Sequence, residues 1–275
     1  MAKKASKLEE YVKKLRRGEG LGVGKEYLPW LDARKTRTRG VSSQTLGIKT
    51  ERHHHGLSTH EDNFLYIAEF DSNIIDIREQ FPLLPLDLAI RIAEELDIKY
   101  PVVPYTNQPI IVTTDYLLTY RKDSSIEYMA ISVKPTGGLK TKRDFEKQEI
   151  ERVWWEMLGI RWFLYLNTRD QKILAENLKW LSQPVRNKTF FEPNTISKAI
   201  EIIPVGKSDI RSVTECLSCE LKIDDDLANE LFRVLVWNKY IELDLSYKIL
   251  ELGVVHILSA RDSKAETNVQ NIINQ

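Results

Sequence analysis

Apolar positions recur along this chain at two periods, and the changes of period mark out its elements. Two apolar runs, P-I-I-V-T-T-D-Y-L-L-T-Y from Pro109 and I-E-Y-M-A-I-S-V-K-P ending at Pro135, flank the polar turn R-K-D-S-S. That pattern predicts a pair of strands joined by a tight turn. Residues 73–85 set Ile75 and Ile77 against Asp76 and Arg78, which reads as a third strand, ended by prolines. Residues 160–166 (I-R-W-F-L-Y-L) are short, apolar and aromatic, as in a buried strand. A short strand is expected at 45–49. Helical spacing appears behind Ser6, with Leu8, Tyr11, Val12 and Leu15 on one stripe that stops at Gly18. It returns after Ser58 (Phe64, Leu65, Ala68), over 86–98 (Ile90, Ile92, Ala93, Leu96), over 141–158 (Phe145, Ile150, Trp154, Leu158) and over 169–181. Strand, helix, strands, helix, strand, helix is an α/β order, a mixed sheet flanked by helices.

Periodicity breaks at residues 182–194, where S-Q-P-V-R-N-K and E-P-N intervene. This divides a first domain, 1–182, from a second, 183–275. Beyond the break come helical patterns at 195–203, 209–221 and 225–238, an alternating segment at 241–249 and an apolar strand at 252–258. Three helices followed by a hairpin suit a winged-helix-like α+β module. The third helix opens with Asp224-Asp225-Asp226, well placed against its dipole, and offers only Arg233 and Lys239 as bases. Protein contact therefore suits it at least as well as groove reading.

Composition adds bounds. With 42% hydrophobic and 29% charged residues the chain reads as globular, and no apolar run approaches the roughly 20 residues of a membrane span. The start, M-A-K-K-A-S-K, shows no signal peptide, so a cytoplasmic setting is expected. Cys216 and Cys219 form a lone C-L-S-C. Zinc wants four ligands, so the pair reads as neighbouring small core residues on a helix. The internal H-H-H run, residues 53–55, puts consecutive rings on different faces of any helix and makes a weak zinc cluster. G-E-G-L-G-V-G-K-E has the wrong spacing for a phosphate loop, with Glu26 in place of the magnesium-binding Ser or Thr.

Net charge is zero, 40 basic against 40 acidic residues. The first 39 residues, however, carry twelve Lys or Arg against five Asp or Glu, an excess of seven. A basic arm of this kind seeks phosphate. Its candidates are Lys13, Lys14, Arg16 and Arg17 beside the first apolar stripe, and Arg34, Lys35, Arg37 and Arg39 in R-K-T-R-T-R.

Two charges sit where apolar residues would be cheaper: Asp115 and Lys134, one in each paired strand. A charge in a core strand needs a partner, a metal or a chemical task. Ser132 and Lys134 are two apart and share a face. Paired around their turn, the strands bring Asp115 and Lys134 together at the end of the sheet. That is the skeleton of metal-dependent nucleases of the restriction type; a buried ion pair is the plain alternative. Ser58-Thr59-His60-Glu61 fits a capping box, which by itself accounts for Glu61.

The block D-I-R-E-Q-F-P-L-L-P (76–85), with H-H-x-L-S-x-x-E before it, T-D-Y-L after it, and V-K-P followed by E-K-x-E-x-E-R-x-W-W, resembles the TnsA family, the endonuclease subunits of heteromeric transposases. The likeness runs from about residue 20 to 180. It implies a restriction-endonuclease-like first domain and a winged-helix-like second one. It implies cleavage of the 5′ strand at transposon ends, with a TnsB-like transposase joining 3′ ends and a TnsC-like ATPase as regulator. It places catalytic roles on Glu61, Asp115 and Lys134. It implies Mg²⁺, or Mn²⁺ in its place, on Glu61 and Asp115, with the backbone carbonyl of Val133, Ser132 and Glu151 as further ligands. Ser132 stands where related nucleases have an acid or amide. That departure leaves open an alternative: a DNA-clamping adaptor of weak catalytic power that recruits the regulator.

Overall fold

The structure is a computed structural model and describes residues 7–34 and 42–261. These fall into two compact units, residues 7–62 with 73–167, and residues 63–72 with 168–261.

The first unit holds helix α1 (Lys7–Arg16), a 3-10 turn (Gly24–Glu26), and a hairpin of β1 (Ser43–Leu46) and β2 (His53–Gly56). The first turn of α2 (Thr59–Phe70) follows, then β3 (Ile74–Pro82), α3 (Leu86–Glu95), β4 (Thr113–Lys122), β5 (Ser125–Pro135), α4 (Lys142–Met157) and β6 (Arg161–Asn167). The main sheet has the order β3-β4-β5-β6, antiparallel except for the parallel pair β5–β6. The polar turn is tighter than R-K-D-S-S suggests. Lys122 still pairs with Ser125, and Asp123, at φ +52°, takes the left-handed conformation that two-residue hairpin turns demand. On one face, Leu83, Ala89, Ile92, Leu117, Ala130, Ile150, Trp154 and Trp155 form a buried cluster that docks α3 and α4.

The alternation in β3 suggests one solvated face. The strand is instead buried on both, with Asp76, Arg78, Glu79 and Gln80 all inside. The histidine run explains part of this. It forms β2, and the fully buried Glu79 accepts from Arg52 at 2.6 and 2.7 Å, meets His54 Nδ1 at 2.8 Å and accepts from the His55 amide at 3.1 Å. Burial alone would raise the Glu79 carboxyl. His54 and Arg52 reverse that and hold it well below the usual carboxylate range.

The second unit continues α2 through residues 63–70 and adds α5 (Arg169–Arg186), α6 (Pro193–Ile202), β7 (Gly206–Asp209), α7 (Ile210–Leu221), α8 (Asp225–Trp237), β8 (Ile241–Leu243), α9 (Ile249–Leu252) and β9 (Val254–Ala260). Its sheet has the order β7-β9-β8, all antiparallel. α5 runs unbroken past Ser182 and takes in Pro184. Proline has no N–H for the Trp180 carbonyl, which accepts instead from Arg233 Nη1 at 3.5 Å. β7, G-K-S-D, carries no apolar residue and so left no periodic signal. Only the start of the 241–249 segment is strand. Asp244 then caps a turn, accepting from the Ser246 amide at 3.0 Å and its hydroxyl at 2.6 Å. Buried Asn177 pins the return by bonding Leu245, Tyr247 and Ile249. The cysteines correct an expectation: both are exposed. The buried stripe of α7 is Val213, Thr214 and Leu217, and it leaves positions 216 and 219 outside.

Candidate active site

β4 and β5 pair from Lys122–Ser125 as far as Tyr116–Ile131, then part. β4 stays with β3 to Thr113–Pro82, and β5 stays with β6 to Pro135–Asn167. Asp115 spans the opening. Its Oδ2 accepts from the Val133 amide at 2.6 Å, from Lys134 Nζ at 3.0 Å and from Ser132 Oγ at 3.4 Å. A side chain thus takes the place of a ladder rung. All three bonds fall on Oδ2, which leaves Oδ1 outside them. Lys134 also donates to Ser132 Oγ at 3.2 Å and to the Val133 carbonyl at 3.0 Å.

Glu61 enters from the first turn of α2. It is buried, and its carboxylate accepts from Ser58 Oγ at 2.8 Å, the Leu57 amide at 3.1 Å and Gln80 Nε2 at 3.0 Å. Its own amide donates to Ser58 Oγ at 3.3 Å. The serine half of the expected capping box is therefore present, while the carboxylate bonds the Leu57 amide in place of the Ser58 amide and also takes a bond from β3. Glu151, on the buried face of α4, accepts from Trp162 Nε1 at 3.0 Å. It also bonds Thr114, whose hydroxyl accepts from Trp155 Nε1 at 2.6 Å.

Lys134 thus contacts Asp115 and feels the charges of Glu61 and Glu151. Burial first, and the Asp115 charge second, push the Glu61 carboxyl up to about 7, and the same two causes push Glu151 up to about 7. Burial opposes the Lys134 charge, but Asp115, Glu151 and Glu61 together raise its pKa. The cluster is short of positive charge, and its donors are hard oxygens.

The metal-ligand expectations meet mixed geometry. Glu61 and Asp115 offer carboxylate oxygens. Ser132 is buried between Asp115 and Lys134, and the Val133 carbonyl already accepts from Lys134. Among the described residues no three His, Cys, Asp or Glu side chains group as a ready metal cluster.

The expected DNA contacts lie apart from these bonds. Lys13 and Arg16 are exposed on α1. Lys14 lies 4.6 Å over the Trp30 ring and pairs with Glu19 at 3.3 Å, and Arg17 pairs with Glu19 at 2.6 Å. Arg34 folds onto Asp32 at 2.9 Å. Lys35, Arg37 and Arg39 lie outside the described residues.

Residues 71–167 match a family model described as the TnsA-like endonuclease N-terminal domain. That span holds Asp115, Lys134 and Glu151. The Transposon Tn7 transposition protein TnsA of Escherichia coli is 33% identical over 249 residues, which cover 89% of this chain and 90% of that protein. The chain belongs to the TnsA family. It is accordingly a DNA endonuclease subunit of a transposase, and the TnsA-like domain carries the Asp115–Lys134 opening. The strand pattern singles out Asp115 and Lys134, and the TnsA motifs add Glu61 and Glu151; Gln80 lies within the D-I-R-E-Q-F-P-L-L-P block, but neither it nor Thr113 is given a role there. A glutamine beside a buried glutamate, just before Phe81-Pro82, was the available signal.

Proposed function

We propose that this TnsA-family chain is an Mg²⁺-dependent endonuclease that hydrolyses the 5′-end strand at transposon ends. It works beside a TnsB-like transposase and under a TnsC-like ATPase, in the cytoplasm. The observation that carries this reading is the Asp115–Lys134 contact at the parting of β4 and β5, with Glu61 brought to it by α2. The sheet with α3 and α4 on one face supports the restriction-endonuclease-like assignment. In the second unit, the order α6-β7-α7-α8-β8-α9-β9 supports a winged-helix-like module for partner or DNA contact. No described helix is long and apolar enough to cross a membrane.

Glu61 and Asp115 would hold the divalent ion, with Glu151 behind them; Ser132 and the Val133 carbonyl become available only as Lys134 turns from them. Hard carboxylate oxygens suit Mg²⁺ or Mn²⁺. Such an ion supplies Lewis-acid stabilisation of charge developing on the phosphate and the leaving oxygen. The chain's own residues do the rest. Lys134 has an ammonium to offer a phosphate oxygen or the attacking water, and Asp115 aims it. Neutral donors from Ser58, Leu57 and Gln80 keep Glu61 in place without cancelling its charge.

Basic residues of the amino-terminal segment are expected to meet the DNA backbone. In the sequence, Arg34, Lys35, Arg37 and Arg39 precede β1, where the Ser43 hydroxyl bonds Asp62, the sequence neighbour of Glu61. Lys13, Lys14, Arg16 and Arg17 extend the positive charge along α1. These groups contact backbone phosphates and not bases.

The test is 5′-strand cleavage of an end duplex with the partner transposase present. Asp115→Asn keeps an acceptor for the Val133 amide but removes the charge. Its cleavage is expected to fall about 100-fold or more, the scale on which one preorganised electrostatic group acts. Equal cutting by both proteins ends the proposal. The adaptor reading is favoured by one observation, the engagement of the Val133 carbonyl by Lys134. It predicts no Mg²⁺ or Mn²⁺ binding in calorimetry, even with DNA.

A further inference from the structure

Gln80 interrupts β3 at the level of the site. Glu79 pairs with Tyr116 and Phe81 with Thr114, so Gln80 stands across from Asp115. Its φ is +50°, a left-handed conformation that is unfavourable for a residue with a side chain. It is buried, and its carbonyl accepts from the Trp30 amide at 3.3 Å. That bond and the kink itself are properties of the backbone, and glycine would supply both at lower cost. The side chain serves something else. Its Oε1 accepts from the Thr113 hydroxyl at 3.0 Å, and its Nε2 donates to Glu61 Oε2 at 3.0 Å. Thr113 thus holds the amide oxygen, and the amide N–H faces the carboxylate.

We propose that Gln80 is a positioning residue: its amide, locked by Thr113, sets the orientation in which the Glu61 carboxylate joins Asp115 in holding a divalent cation. The inference rests on the nuclease reading. A glutamine in a strained backbone position, with its amide divided between a threonine and a site carboxylate, is more than buried polar filling. Removing such a supporting contact lowers metal affinity or activity about 10- to 100-fold in comparable sites.

The experiment compares the full chain with Gln80→Gly, Gln80→Met, Thr113→Val and Asp115→Asn. Mn²⁺ binding is measured by calorimetry with and without an end duplex, alongside thermal melting and cleavage with the partner transposase. Gln80→Gly preserves the backbone turn and removes the amide. It is expected to remain folded, as thermal melting checks, yet to bind Mn²⁺ about 10- to 100-fold more weakly. Thr113→Val should shift affinity in the same direction by less. If Gln80→Met fails to fold, Gln80→Gly and Thr113→Val decide. Wild-type Mn²⁺ affinity in the folded Gln80 variants, with Asp115→Asn impaired, overturns this inference and leaves the nuclease reading standing. Wild-type binding and cleavage by Asp115→Asn overturns the nuclease reading itself.

Discussion

The raised carboxyls of Glu61 and Glu151 predict an unusual stability profile. Each moves from an ordinary 4.5 to about 7 in the fold, so between those values the folded chain binds protons that the unfolded chain has released. Stability therefore falls as pH rises from about 4.5 to 7 and levels off above. One such group amounts to about 3 kcal/mol. The two share Asp115 and Lys134, so their joint effect lies between about 3 and 6 kcal/mol, a large part of a typical 5–15 kcal/mol. The depressed carboxylates, Glu79 and Asp32 among them, add stability that rises with pH through the unfolded value and is complete by about pH 5.5, so they oppose the decline only at the acid edge of this window. His55, which burial holds below 6.5, opposes the trend up to that pH. Denaturant titrations of metal-free protein at pH 5, 6, 7 and 8 should show the decline, and Glu151→Gln should flatten it. Divalent cation favours the ionised forms and should restore stability at pH 8 far more than at pH 5. A flat metal-free profile, or equal rescue at both ends, would refute the charge reasoning for the site.

Other outcomes follow from single contacts. Glu79→Ala strips the buried Arg52 and His54 of their carboxylate and should cost about 3–5 kcal/mol in denaturant unfolding. Asn177→Ala frees the turn of residues 245–249 and should lower the stability of the second unit by about 1–3 kcal/mol, read by hydrogen exchange at the Ile249 amide. Cys216→Ser with Cys219→Ser should change stability by less than about 0.5 kcal/mol, because both thiols are exposed. Neutralising Arg34, Lys35, Arg37 and Arg39 should weaken DNA binding at all sequences alike and flatten its salt dependence. A sequence-selective loss in gel-shift titrations would count against the arm.

Much of the first unit was legible because its strands and helices keep clean periods, and because Asp115 and Lys134 broke the apolar pattern at matched places. Their meeting followed from the hairpin alone. Glu61 needed the family likeness, since a serine three residues earlier already explained it locally. Gln80 was hidden for a different reason: its role depends on a left-handed backbone and on a threonine 33 residues away, neither of which periodicity encodes. β2 was missed because histidine carries no strand signal until Glu79 gives it a partner. β7 lacked apolar residues altogether. A spacing of three makes Cys216 and Cys219 neighbours but does not say which way they face, and both face solvent.

Helix α2 also limits how the protein can be dissected. Its first turn carries Glu61, while residues 63–70 belong to the second unit. A fragment ending at residue 167 would keep the nuclease carboxylates but orphan Phe64, Leu65 and Ile67, all buried in the intact chain. Such a fragment should be sticky and poorly soluble, and its inactivity would say nothing about the chemistry. A half-molecule assay is the wrong instrument for this enzyme.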